Sequence, residues 1–207
     1  MKFVDLNRYF IPVAKDVELH FEFLHYWEQK AAGWLDWNDL RGHRRVVLLA
    51  EASSGKSAEF RNHAEKLCTE GHSAFYLRIE ELADQGFEAA LDGNSAKIFK
   101  QWRGGASEGW FFLDSVDEAR LNRKSFETAL KRFNRDLDQS LERARVFVSC
   151  RVSDWKGTED RALIERFLPS WERPEDTSSN NSEHAALLDP IFKPKDRPSV
   201  PWNANLN

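Results

Sequence analysis

Residues 44–60 read RRVVLLAEASSGKSAEF, and the fold turns on how they are understood. The apolar, β-branched run 44–50 has the texture of a strand buried on both faces of a parallel sheet. Small residues follow, then Gly55-Lys56-Ser57 at the head of a helical stretch. Phosphate binding asks for that order: a strand delivers the loop, and the free N–H groups of a helix N-terminus face the anion. In such a loop Lys56 would reach the β- and γ-phosphates from a solvent-facing position, and the Ser57 hydroxyl would bind Mg²⁺. Ala52, Ser53, Ser54 and Gly55 are small enough to leave room for a nest of backbone N–H groups. The usual pattern, G-x-x-x-x-G-K-[ST], opens with glycine where this chain has Ala50. Alanine adds one methyl group and excludes only φ > 0. The expected cost is weaker binding, since no phosphate-contacting group is lost. An exposed Ser-Gly turn capping an ordinary helix is the alternative, and the strand and helix on either side weigh against it.

Working outward, a helix is expected from about Gly55 to Glu70, ended by Gly71. SAFYLRI (73–79) reads as a second strand, and 81–103 as helix in two pieces broken around Asp92-Gly93-Asn94. GWFFLD (109–114) is a third strand. Phe126, Leu130, Phe133, Leu137 and Leu141 recur at three- and four-residue steps, giving an amphipathic helix over about 122–143. ARVFVSC (144–150) supplies a fourth strand. Strand and helix alternate throughout, so the expected class is α/β, a mostly parallel sheet covered on both faces. The expected division is an aromatic N-terminal segment at 1–40 with a helix near 17–32, a core at 41–169, and a tail at 170–207. Six of the seven prolines lie at 169 or beyond, and RPEDTSSNNSE (173–183) is polar without periodicity. The tail therefore reads as irregular or disordered, apart from a short apolar segment at 185–192.

The end of the third strand carries the second motif, WFFLDSVDEARL (110–121). Ligands of open α/β sheets bind at strand C-termini. Asp114 there can complete a Mg²⁺ shell opposite Ser57, and Asp117 or Glu118 can orient and polarise an attacking water. Asp commonly ends strands for turn reasons alone, so the weight lies in its pairing with the Gly-Lys-Ser loop. The fourth strand ends in Ser149 and Arg151, level with the same edge. Arg151 there can sense or neutralise γ-phosphate charge, or serve as a surface ion-pair partner. Asp154 and Trp155 read as turn and packing residues.

Composition narrows the rest. The chain has 207 residues, 41% hydrophobic and 31% charged, enough for one domain with a substantial core. A net charge of −4 with interleaved signs gives no reason to expect nucleic acid as a partner. Cys68 and Cys150 match no disulfide or metal spacing and read as reduced, buried and inert. No apolar run approaches the roughly 20 residues of a membrane span, and MKFVDLNRYF lacks a signal-peptide core. The expectation is a soluble, cytoplasmic protein with no membrane partner.

Taken together, VVLLAEASSGKS, SAFYLRI, FFLDSVDEA and VFVSCR resemble the STAND-type P-loop NTPases, the NACHT-like and AP-ATPase-like signalling ATPases, over about residues 35–155. The hhhhD-[GS]-h-D-E form of the acidic motif is the most specific part of the likeness. The resemblance implies a P-loop three-layer sandwich with sheet order 5-1-4-3-2. It implies a switch that is closed with ADP and activated with ATP, in bacteria often within anti-phage or signalling systems. By motif, Ala52 to Ser57 cradle the nucleotide, Ser57 and Asp114 bind Mg²⁺, and Asp117, Glu118 and Arg151 take the catalytic positions. The chain stops before the family's fifth core strand, winged-helix region and repeat sensor domain. The expectation is therefore the N-terminal part of such a core, lacking its last strand, with VVLLA as an exposed edge. That edge would need cover from FIPVA (10–14), from 185–192, from self-association or from a partner chain. Two other readings compete: a nucleotide-binding interaction fragment without hydrolysis, and a small-molecule kinase, against which the DSVDE run argues.

Overall fold

The computed structural model describes residues 9–13, 35–115, 123–168 and 191–195. Four parallel strands form its centre: β2 (Arg45–Ala50), β3 (Ser73–Arg78), β4 (Gly109–Asp114) and β5 (Ala144–Arg151). Two outer strands, β1 (Tyr9–Val13) and β6 (Ile191–Lys195), complete a six-stranded sheet of order β1-β6-β2-β5-β4-β3. The helices are α1 (Trp37–Arg41), α2 (Lys56–Thr69), α3 (Ile79–Gln85), α4 (Gly93–Arg103), α5 (Arg123–Leu137) and α6 (Thr158–Phe167).

Chain direction decides which helix covers which face. A β-α-β crossover keeps one hand. The chain leaves β2 for the far strand β3 and then returns through β4 to β5. The outbound helix α2 must therefore lie on one face, and the helices of the return on the other. Strand alternation sorts the core accordingly. Val46, Leu48, Ala74, Trp110, Phe112 and Phe147 pack with Phe60, Ala64 and Leu67 of α2. Val47, Leu49, Phe75, Leu77, Phe111, Leu113, Val146 and Val148 pack under α3 to α6. The result is a three-layer α/β sandwich. Among the described residues no helix is long and apolar enough to cross a membrane.

The expectation that the last core strand is missing is corrected here. β6 lies parallel to β2, with Val47 opposite Ile191 and Leu48 opposite Phe192, so β2 is not an edge. β1 then pairs antiparallel with β6 from Tyr9–Lys195 to Val13–Ile191. The N-terminal segment thus covers β6 rather than β2. The tail signal was weak because Pro194 interrupts the run, yet it falls past the two residues paired with β2, where its missing N–H breaks no bond to that strand. The helix expected near 17–32 and the rest of the tail lie outside the described residues.

Two smaller differences have local causes. The helix expected over 122–143 ends as α-helix at Leu137, because Asp138 takes a left-handed conformation (φ 48°) and a 3₁₀ turn carries the chain to Arg143. Cys68 is exposed rather than buried, near the C-terminal end of α2 with its Sγ donating to the Ala74 carbonyl at 3.4 Å, while Cys150 is buried as expected.

Trp102 is buried at the foot of β4. Its ring lies among Phe75, Phe99 and Phe111, Arg143 stacks over it at 4.7 Å, and its Nε1 donates to the Ser107 carbonyl at 2.9 Å. Gly109 opens β4 directly beneath. A Cβ there would meet three atoms of the indole at 2.5, 2.6 and 2.9 Å. Gly109→Ala should therefore destabilise the fold by about 1–3 kcal/mol, the usual cost of overpacking. A lower urea midpoint at unchanged slope is the expected result; an unchanged midpoint would mean that the indole moves aside freely. Deleting 191–207 should uncover β2, speed exchange of those amides of 46–50 that face β6, and promote self-association visible by light scattering. A monomer with fully protected amides would show that β6 contributes nothing to the edge.

Candidate functional site

The C-terminal ends of β2, β4 and β5 meet at one sheet edge. Ala50 is opposite Arg151, and Leu48 is opposite Ser149. Leu113 pairs with Val148, which carries Asp114 level with Ser149. Alternation then places Asp114 and Ser149 on the same face as Phe112 and Phe147, the face covered by α2. The helix that begins at Lys56 and the acidic strand end therefore belong to one corner of the molecule.

The loop between β2 and α2 makes its turn with two left-handed residues, Ser53 (φ 57°) and Gly55 (φ 89°). Glycine adopts that conformation freely, whereas for serine it costs about 1–2 kcal/mol. Ala50 is the last residue of β2 and is buried, and neither left-handed position falls on it. The loop glycine's absence there is consequently met without backbone strain. Gly55 is also the N-cap of α2 and offers no side chain to the first turn. This bare N-terminus of a 14-residue helix presents backbone donors and the positive end of the helix dipole.

Lys56 does not stand in solvent. It is 8% exposed, and its Nζ donates to the Ala50 carbonyl at 3.2 Å and to the Glu51 carbonyl at 2.9 Å. The side chain arches back over the loop and ties its two ends together. Ser57 is half-buried in the first turn of α2. Ala52 and Ser53 are exposed at the loop tip, and Ser54 is half-buried with its Oγ enclosed and without a hydrogen-bond partner.

Asp114 is fully buried. Its Oδ1 accepts the Ser149 hydroxyl, and its Oδ2 accepts the Tyr76 hydroxyl at 2.8 Å. Ser149 Oγ accepts in turn from the Ser115 N–H at 3.2 Å. Burial above all, then the neighbouring Asp114 carboxylate, pushes the Tyr76 phenol up to about 12. The Arg61 guanidinium lies 4.8 Å from the centre of the Tyr76 ring. Ser115 is 2% exposed, and its Oγ, like that of Ser54, lacks a partner. Arg151 is half-buried, with its Nε 3.9 Å from Asp154. Trp155 is buried and Asp154 sits in the turn after β5, as expected. Asp117 and Glu118 lie outside the described residues.

Sequence reasoning thus found Lys56, Asp114, Ser149 and Arg151 at one edge but missed Tyr76 and Ser115. Tyr76 was readable in principle. It is the polar-tipped residue on the α2 face of β3, two positions before the strand ends. Comparison with family models, with curated proteins and with solved structures gives no match.

The groups at this edge are of the kind that bind anions. The loop offers a bare helix N-terminus and an ammonium, and two enclosed hydroxyls lie at the same edge without partners. Among the described residues, no group of three His, Cys, Asp or Glu side chains could hold a metal alone.

Because Lys56 bridges two loop carbonyls from a buried position, Lys56→Met should destabilise the fold by about 1–3 kcal/mol, in line with hydrogen bonds to a charged group. Chemical denaturation checks this. A midpoint equal to wild type would place the ammonium in solvent instead.

Proposed function

We propose that this chain binds ATP and ADP with Mg²⁺ at the loop 50–57 and acts as a slow nucleotide-hydrolysing switch of the STAND kind. The observation that carries the reading is the conjunction at one edge of a Lys-bearing helix N-terminus and a fully buried aspartate on the face that this helix covers. Neither element alone distinguishes a nucleotide site from a turn. Their juxtaposition depends on a chain path that inserts β5 between β2 and β4, and the order β6-β2-β5-β4-β3 corresponds to 5-1-4-3-2 counted from the loop strand. The connections that leave the neighbouring strands β2 and β5 run in opposite directions, from β2 outward to β3 and from β5 back past β2 to β6. Crevices at such reversals are where open α/β sheets take ligands.

In this reading the loop amides and Lys56 hold the phosphates, and Ser57 and Asp114 hold the metal. When bound, the metal neutralises charge that develops on the transferring phosphoryl group. Asp117 or Glu118 orients the attacking water, and Arg151, at the end of β5, meets the terminal phosphate. A role in bacterial defence signalling belongs to the same proposal and rests on the motif resemblance alone.

Calorimetry with ATP and ADP, with and without Mg²⁺, tests the site. Wild type should bind, and Lys56→Met, measured at a temperature where it is folded, should lose affinity by at least tenfold. Glu118→Gln should keep nucleotide affinity and slow ATP turnover. Unchanged affinity in the lysine variant would remove the site assignment. Binding without any turnover by wild type would favour a non-hydrolysing interaction module.

A further inference from the structure

We propose that Tyr76 and Ser149 are positioning residues for Asp114, fixing both oxygens of its carboxylate so that it can serve the metal of a bound Mg-nucleotide. The inference rests on the nucleotide reading above and adds two residues that the motifs do not assign.

Three strands supply the three groups. Tyr76 is on β3, Asp114 on β4 and Ser149 on β5. Arg78 is the residue directly opposite Asp114, so Tyr76, opposite Phe112, reaches it on the diagonal. That reach suits a long aromatic side chain, and a shorter residue could not make it. Tyr76 takes Oδ2 and Ser149 takes Oδ1, so rotation of the carboxylate about its Cβ–Cγ bond would break both hydrogen bonds. The Ser149 hydroxyl is itself constrained, because its hydrogen goes to Asp114 while its oxygen receives the Ser115 N–H. This chain of bonds runs from β3 through β4 and β5 to the first residue of the acidic segment 115–118. The arrangement sets the orientation of the carboxylate and holds the backbone at Ser115.

The competing account is that two hydroxyls merely satisfy a buried carboxyl group, as any fold must. The two accounts differ in what they do to metal dependence. A supporting hydroxyl that orients a metal-binding carboxylate typically changes metal affinity 10- to 100-fold when removed. A purely structural one changes stability and leaves metal dependence alone.

The test is a titration of Mg²⁺, from a chelated start, into the full chain mixed with a fluorescent ADP analogue, in wild type, Tyr76→Phe and Ser149→Ala. Tyr76→Phe keeps the ring and its packing, and thermal melts identify the temperature at which each variant is folded. The expected result is that each variant needs about tenfold more Mg²⁺ for half its effect on nucleotide affinity, while affinity in the chelator changes less than about twofold. Unaltered Mg²⁺ dependence with only a lower melting temperature overturns the proposal and leaves the nucleotide site standing. So does an equal loss of affinity with and without metal, which would make these residues supports of the loop. Wild type that binds ADP without any response to Mg²⁺ has the same consequence. Failure of wild type to bind ADP under either condition defeats the nucleotide reading, and this inference with it.

Discussion

A carboxyl group cut off from solvent is costly unless its oxygens find donors, and Asp114 imposes that condition on three strands at once. Its exposure is zero, its donors come from β3 and β5, and its own strand lies between them. Satisfying it requires parallel strands in this register, with Tyr76 one diagonal step away and Ser149 alongside. A one-residue slip of β4 would turn Asp114 toward the opposite face, into the apolar layer under α3 to α6 that includes Phe75, Leu77 and Phe87. The hydrogen-bonded edge thus reports on register as well as on function, and a single polar row excludes pairings that the apolar core would tolerate.

The same condition links the edge to the helix layer. Crossover handedness puts α2 alone on its face among the helices that join the parallel strands, and alternation puts Asp114 and Ser149 on that face. The N-terminus of α2 is therefore brought to the acidic row by topology, without any direct bond between the two motifs being needed. Lys56 is accommodated by the carbonyls of its own loop, at 3.2 and 2.9 Å. The loop so closed carries the cost of a left-handed Ser53, and strained backbone of this kind collects where a ligand needs a preformed shape.

Much of this could be read from the amino-acid string, for identifiable reasons. Strands buried on both faces are continuous apolar runs, so 45–50, 73–78, 109–114 and 144–151 stood out to within a residue or so. The split between α3 and α4 was legible because Asp92 caps the second piece, accepting from the backbone of Asn94 and Ser95. β6 was not legible. Its five residues include proline, its only pairing with β2 spans Ile191 and Phe192, and its existence depends on partners far away in sequence. The burial of Lys56 was hidden for a similar reason, since only loop geometry shows that its side chain turns inward. Cys68 went wrong because apolar neighbours in sequence do not fix burial near a helix end: it follows the buried Leu67 but is exposed, its Sγ donating to the Ala74 carbonyl at 3.4 Å. The partnership of Tyr76 with Asp114 needed strand order as well as strand identity, because β3 is adjacent to β4 only once the crossovers are known.

Strand order also explains why the lysine and the aspartate are arranged as they are. β5 separates β2 from β4, so the loop that leaves β2 and the carboxylate that ends β4 are two strand spacings apart, about 9.5 Å. Lys56 Nζ is held at the β2 side of that separation by the Ala50 and Glu51 carbonyls, and Asp114 at the β4 side by Tyr76 and Ser149. Ser149, on the intervening strand, is used to hold Asp114 rather than to fill the gap. Arg151 stands two residues further along β5, opposite the residue where the loop departs. Arg151, Asp114 and the loop that carries Lys56 thus stand at the ends of three neighbouring strands, and their lateral spacing is set by the sheet.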